Sequence, residues 1–236
     1  MRLPALRPRL AMTAGLVPHD AAAADIGTDH AYLPVHLVRE SVCPRVIAAD
    51  VSEGPLQNAE KTVVRAGLED CVELRLSDGF SQFAPNDADC WVIAGMGGTL
   101  IARLLEQTPW LCEPETGISI TLVLQPMRHA WEVRQWLLAH GYRIETEAAC
   151  HDAGRPYHAM RAVFEPKAER PAELAYTYMG ELPKCEHPAA RELIFRELAL
   201  LQTRAEALEQ SGSAPRAEDE LARLRTLING IEKQLK

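Results

Sequence analysis

The chain has 236 residues, 47% of them hydrophobic, with a formal net charge of −8 and a pI near 5.5. That length supports one domain with a full core plus a smaller appendage, and the acidity weighs against a globally basic nucleic-acid binder. The basic start MRLPALRPRLAM lacks the apolar run of a signal peptide, and no segment approaches the roughly 20 apolar residues of a membrane span, so a soluble cytoplasmic protein is expected.

In chain order, residues 5–16 are expected to form a short helix ahead of the core. Residues 21–26 are an apolar run that stops at Gly27, and 32–40 can be helical because Pro34 is tolerated in a first turn. Residues 45–50 (RVIAAD) are a second apolar run. Residues 54–66 are helical, with Leu56, Ala59, Val63 and Val64 at helical spacing and Gly67 to end them. Residues 72–76 (VELRL) alternate like a strand, and SDGFSQFAPNDAD then leaves little room for a regular helix. Residues 90–94 (CWVIA) and 118–124 (ISITLVL) predict strands, 99–107 and 130–140 helices. Residues 142–150 and 157–164 are strand-like and joined by HDAGRP, a hairpin signal.

Five strand–helix alternations followed by a hairpin imply a mostly parallel twisted sheet with helices on both faces and one antiparallel strand. By analogy of fold, that arrangement is more typical of S-adenosylmethionine-dependent methyltransferases than of dehydrogenases. After Pro166 the pattern changes. Ile194, Leu198, Leu201, Ala205 and Leu208 form one heptad-like stripe; Leu221, Leu224, Ile228, Ile231 and Leu235 form another, with SGSAP (211–215) as the turn between them. This predicts a coiled-coil-like helical hairpin, so the expected domains are 1–165 and 166–236. The second carries 11 Lys and Arg against 12 Asp and Glu and is the less acidic part. The six cysteines (Cys43, Cys71, Cys90, Cys112, Cys150 and Cys185) form no CxxC pair and read as small buried hydrophobes. His140, His151 and His158 fit no ligand spacing, and no metal site is expected.

The first strand–helix turn, ADIGTDHAYLP, is the default ligand site of such a sheet. Gly27 is its only glycine, so a dinucleotide pyrophosphate lacks the close approach that G-x-G-x-x-G allows. A ligand with a sulfonium, an ammonium and a carboxylate but no phosphate fits better. Asp25 and Asp29 could face the cations, and amides at the helix start could take the carboxylate. Asp29 acting only as the helix N-cap is the competing reading. Asp50, ending the second strand, can accept two ribose hydroxyls. Asp78-Gly79-Phe80 offers an acceptor for an adenine amine and a ring to lie against it, or a plain Asp-Gly turn. Ala94-Gly95-Met96-Gly97-Gly98 follows the fourth strand where the acceptor enters, and lacks the Asp/Asn-Pro-Pro-aromatic turn of exocyclic-amine methylation. Gln125-Pro126 can read a base edge, and Arg128 can hold a phosphate. Trp131 and Trp136 read as core.

The segments ADIGTDHAYLP, AADVSEGPLQNAEK, LSDGF, IAGMGGTLI and LQPMRHAWEVRQWL, in this order over about residues 5–165, closely resemble the bacterial tRNA (adenine-22-N1)-methyltransferases. The resemblance implies a Rossmann-like class I methyltransferase that uses S-adenosylmethionine to methylate N1 of adenine 22 in the tRNA D-arm. The expected donor seat is Asp25, Gly27, Asp50, Val51, Asp78, Gly79, Ala94, Gly95 and Met96. The expected acceptor side is Gly97, Gly98, Gln125, Pro126 and Arg128; because the methylated base is cationic, Asp29 is expected to stabilise its charge, with His30 orienting it or touching the RNA. Thr28 stands where the family commonly has Ser, and Asp50 where it commonly has Glu. The partners expected are tRNA and the small-molecule methyl donor; a monomer is expected, with a dimer left open. A methyltransferase for a small molecule or a protein, with the hairpin as a partner or dimer surface, is the alternative that the acidity favours.

Overall fold

The computed structural model describes residues 5–113, 120–167, 174–210 and 215–235. Its elements are α1 (Pro8–Ala14), β1 (Ala23–Ile26), α2 (Tyr32–Arg39), β2 (Val46–Asp50), α3 (Glu53–Ala66), β3 (Val72–Leu76), β4 (Cys90–Met96), α4 (Gly98–Glu106), α5 (Pro109–Cys112), β5 (Thr121–Pro126), α6 (Ala130–Ala139), β6 (Tyr142–Asp152), β7 (Arg155–Phe164), α7 (Leu174–Met179), a 3-10 turn (Leu182–Lys184), α8 (Pro188–Gln210) and α9 (Pro215–Gln234). The seven strands order as β3-β2-β1-β4-β5-β7-β6. β1 to β5 are parallel, and β7 is the single antiparallel strand, paired with β5 on one side and β6 on the other.

The central strands are covered on both faces, which is why they read as continuous apolar runs. Ile26, Ile93, Leu122 and Leu124 face α4 to α6 through Ile101, Leu105, Val133 and Leu137. Ala23, Val46, Val92 and Val123 face α1 and α2 through Ala14, Leu33 and Leu37. The β6–β7 turn is Ala153-Gly154, both at positive φ, the two-residue turn whose twist suits a hairpin.

Several boundaries differ from expectation. β4 runs on to Met96 through a bulge between Ala94 and Met96, and α1 is shorter than residues 5–16. The segment predicted to open the fifth strand, 118–119, and most of the 211–215 turn lie outside the described residues. α5 and α7 were not anticipated: each is too short to show a 3.6-residue period. The cysteines are all free, but only Cys43 and Cys90 are buried.

The helical segment has an apolar cluster of its own, in which Ile194, Leu198, Leu201 and Ala205 meet Leu224, Leu227 and Ile231. Leu227 lies outside the expected stripe and is buried all the same. α9 touches α7 as well as α8, so its apolar face is wider than a two-helix seam. The cluster reaches Ala149 on β6 and so seats the hairpin on the edge of the sheet.

Candidate active site

The order of strands reverses between β1 and β4, and the loops that follow β1, β2, β4 and β5 surround the crevice at that point. Gly27 leaves β1 at φ +82°, and the amides of Gly27 and Thr28 both donate to the Ala49 carbonyl, at 2.8 and 2.9 Å. A Cβ on Gly27 would stand 2.3 Å from Met96 Cε, so the glycine lets the first and fourth loops meet. Asp25 is buried beneath this turn. Burial pushes its carboxyl from the ordinary 3.8 up to about 6; Thr28 opposes the shift and the negative charge of Asp50 adds to it.

Asp29 and Ala31 both sit at φ +53°, a left-handed conformation uncommon for residues with a side chain. Ala31, not Asp29, is the N-cap of α2, and no side chain caps that helix. The N-cap reading of Asp29 therefore fails. Its amide instead donates to Asp50 Oδ2 at 3.3 Å, while Ser52 N–H donates to Oδ1 at 3.1 Å. Asp50 is thereby fixed at the lip of β2, and each of its oxygens keeps a free lone pair. The Asp29 carboxylate is 67% exposed, His30 Nε2 lies 3.6 Å from it, and the His30 ring stacks on Tyr32 at 5.3 Å.

Asp78 is exposed beside this lip, in a turn held by the Ser77 hydroxyl donating to the Gly79 carbonyl at 2.8 Å. Phe80 is not available to a ligand ring. It is 6% exposed and packs against Trp91 and Trp110, because its side chain completes an aromatic cluster under the loop. Trp136 is core as expected; Trp131 is half-buried, stacked on Tyr178. Val51, 62% exposed, stands on the rim with Tyr32, Leu100 and Met127, which are also exposed.

The fourth loop divides in two. Ala94, Gly95, Met96 and Gly97 are open or half-open, and a Cβ on Gly97 would meet nothing. Gly98 is buried: its amide donates to the Arg128 carbonyl at 2.8 Å, and a Cβ there would stand 2.2 Å from the His129 carbonyl oxygen. Its assignment to the acceptor is corrected, since its missing side chain makes room for protein backbone. Gly98→Ala should force the 128–129 segment away and cost about 1–3 kcal/mol. Thermal melts would check this, and an unchanged melting temperature would contradict the packing.

Gln125 is corrected as well. It is fully buried; its Oε1 accepts from Gly95 N–H at 3.0 Å and from Arg9 Nη1 at 2.5 Å, and its Nε2 donates to the Pro126 carbonyl at 3.1 Å. With its amide committed, it shapes the fourth loop and reads no base. Pro126 is buried beside it, whereas Arg128 is exposed and makes no ion pair among the described residues. The sequence reading missed Arg9. α1 carries its guanidinium onto Gly95, 3.3 Å from where a Cβ would be, and no motif spacing links residue 9 to residue 125.

A methyltransferase-domain family model matches residues 6–160. The tRNA (adenine(22)-N(1))-methyltransferase of Bacillus subtilis (strain 168) is 36% identical over 157 residues, 66% of this chain and 64% of that relative. The crystal structure of the B. subtilis m1A22 tRNA methyltransferase TrmK superposes with a TM-score of 0.86 at 29% identity, covering 98% of this chain and 99% of that one. The chain belongs to the tRNA (adenine-22-N1)-methyltransferase family. A Streptococcus pneumoniae protein solved in complex with S-adenosyl-L-methionine is 31% identical, with a TM-score of 0.74 over 98% of this chain and 100% of that one. The sequence match spans just under two thirds of the B. subtilis enzyme, whereas the structural match takes in the helical hairpin too.

A buried carboxyl with a raised pKa, a second carboxylate with free lone pairs and a phosphate-free approach over Gly27 suit a cationic ligand with a ribose.

Proposed function

We propose that this protein transfers the methyl group of S-adenosylmethionine to N1 of adenine 22 in the D-arm of tRNA. The observation that carries the proposal is the pair of carboxylates four residues apart in one turn, Asp25 buried and Asp29 open. S-adenosylmethionine supplies the electrophilic methyl group, carried on a sulfonium. Asp25 holds the cationic amino-acid end, Asp50 the ribose hydroxyls and Asp78 the adenine amine, with Gly27, Val51, Gly79, Ala94, Gly95 and Met96 forming the walls of the seat.

Adenine N1 attacks with an in-plane lone pair and needs no prior deprotonation, so the chain's tasks are alignment and exclusion of water. The methylated base is cationic. Asp29, at the mouth of the crevice, stabilises that developing charge, and His30 orients it. Gly97 leaves room for the base edge, and Arg128 meets a phosphate. Arg9, seated on Gly95 and Gln125, holds the loop that faces the base. Because N1 lies on the Watson–Crick edge, a paired adenine must first be unstacked; the exposed Tyr32, Val51, Leu100 and Met127 offer it apolar contact. We divide the chain near residue 165 into a catalytic part and a helical part, and place it in the cytoplasm with its substrate. Among the described residues no helix is long and apolar enough to cross a membrane.

The test is transfer of labelled methyl to unmodified tRNAs with and without adenine at position 22, mapped by primer-extension stops. Label independent of adenine 22 would sink the proposal. Label only in a protein or small molecule would favour the second reading, which the net charge of −8 supports.

The raised Asp25 pKa makes a further prediction. The folded pKa lies above the ordinary one, so the contribution of Asp25 to the stability of the unliganded protein falls as pH rises from about 4 through about 6 and is constant above. The shift from 3.8 to about 6 is worth on the order of 3 kcal/mol. Asp25→Asn should therefore raise the melting temperature at pH 8 and remove that slope. The same variant should weaken donor binding, and wild-type donor affinity should fall below pH 6 as Asp25 protonates. Calorimetric titrations from pH 5 to 8 check this; a donor affinity that does not vary across the range would refute it.

A further inference from the structure

On the side of the sheet away from the crevice, the end of α4, α5 and the end of α6 bring Glu106, Cys112 and His140 together. A carboxylate oxygen, the thiol and an imidazole nitrogen all lie within 4.8 Å of one another. We propose that these three residues bind a divalent transition metal, Zn²⁺ by the mixture of sulfur, nitrogen and oxygen, with a fourth position open to water.

The ligand types are those of zinc sites, where ligand atoms stand about 2.0–2.3 Å from the metal. The exposed Glu106 and half-buried Cys112 can close that distance by side-chain rotation. The orientation of His140 is the more telling feature. Its Nδ1 faces the Trp136 carbonyl at 2.9 Å, a contact that only a protonated nitrogen can make. Nε2 is then the lone-pair nitrogen of the neutral ring, and it points at Glu106 Oε2, 3.3 Å away. Two acceptors face each other, so a cation belongs between them, either a proton on the ring or a metal ion.

The outer shell is that of a ligand site. Trp136 Nε1–H donates to the same Glu106 oxygen at 2.7 Å, and the Trp136 ring stacks on His140 at 4.3 Å, so one tryptophan contacts both the carboxylate and the imidazole. The Cys112 thiol has only weak partners, the Leu105 and Glu106 carbonyls at 3.8 Å. α4 begins at Gly98 in the crevice and its nine residues carry Glu106 roughly 12 Å away, so the ion would brace the helices under the site and touch no reacting group.

Co²⁺ titrated into the full-length protein after chelator treatment tests this. One equivalent should give thiolate-to-cobalt charge-transfer absorption that Zn²⁺ abolishes by displacement, and Zn²⁺ should raise the melting temperature. Cys112→Ser should lose the band, and His140→Gln should weaken Zn²⁺ binding at least about tenfold. Cys185→Ser, away from the cluster, should keep the band. Circular dichroism would establish that each variant is folded. No band from folded wild-type protein, or a band that survives in Cys112→Ser, overturns the proposal and leaves His140 and Glu106 as a proton-bridged pair.

Discussion

Asp29→Ala should cut methyl transfer by about 10²–10³-fold, the usual cost of removing one preorganised group aimed at developing charge, while donor affinity changes by no more than a few fold. The two acids of the first turn differ in environment, and the proposed division of their work rests on that difference. Asp25 is buried and costly to ionise without a cation against it. Asp29 is open and holds its place through its backbone: its amide is bonded to Asp50 and its φ is +53°. A carboxylate so placed adds little to a ligand seated below it and is free to meet a base arriving from outside. Asp29→Asn keeps the size and loses the charge, so it should fall nearly as far as Asp29→Ala if charge is what matters. His30→Ala should fall less under the proposed role, in which His30 orients Asp29. Single-turnover rates with saturating donor and tRNA, set beside donor titrations, separate the roles. Full turnover in Asp29→Ala would remove Asp29 from the chemistry; a donor affinity that collapses with turnover would make it part of the seat.

The fold was legible wherever local pattern decides the outcome. Strands buried on both faces show as apolar runs, and the five runs followed by a hairpin predicted the sheet and its one antiparallel strand. The carboxyl ends of those runs led directly to Asp25, Asp50 and Asp78. What the sequence could not show is where a side chain is already committed. Gln125 and Phe80 have the right chemistry at the right strand ends, yet one is bonded to Arg9 and Gly95 and the other is packed on Trp91. Gly98 looks like Gly97 until the backbone of residues 128–129 is seen against it. Arg9 with Gln125, Glu106 with Cys112 and His140, and Arg134 with Glu147 are brought together by helix packing, which no local spacing encodes.

Breaking the Arg134–Glu147 pair should give the largest loss of stability from a single polar substitution. Arg134 on α6 is 1% exposed and meets Glu147 on β6 with two hydrogen bonds, Nε to Oε1 at 2.8 Å and Nη2 to Oε2 at 3.1 Å. Its remaining nitrogen donates to the Tyr178 carbonyl at 2.7 Å, in the last turn of α7, where a cation also complements the helix dipole. His158 lies 4.0 Å from Glu147 and stays neutral, because burial and the Arg134 cation hold its pKa well below the usual range. One guanidinium thus joins the catalytic sheet, α6 and the helical segment. Arg134→Met leaves the Glu147 carboxylate buried with no cation beside it and frees the α7 carbonyls, so it should cost about 3–5 kcal/mol and lower the melting temperature by roughly 6–20 °C. Glu147→Gln keeps the shape and one acceptor and should cost less. The double variant Arg134→Met, Glu147→Leu should recover most of the loss, since apolar packing replaces buried ion pairs at little cost. It should not restore the fork that grips α7, so hydrogen exchange at Tyr178 and Met179 should stay fast even where the melting temperature returns. Slow exchange there in the double variant would show that apolar packing of the helical segment on β6 is enough to place α7, and that the ion pair contributes only to global stability.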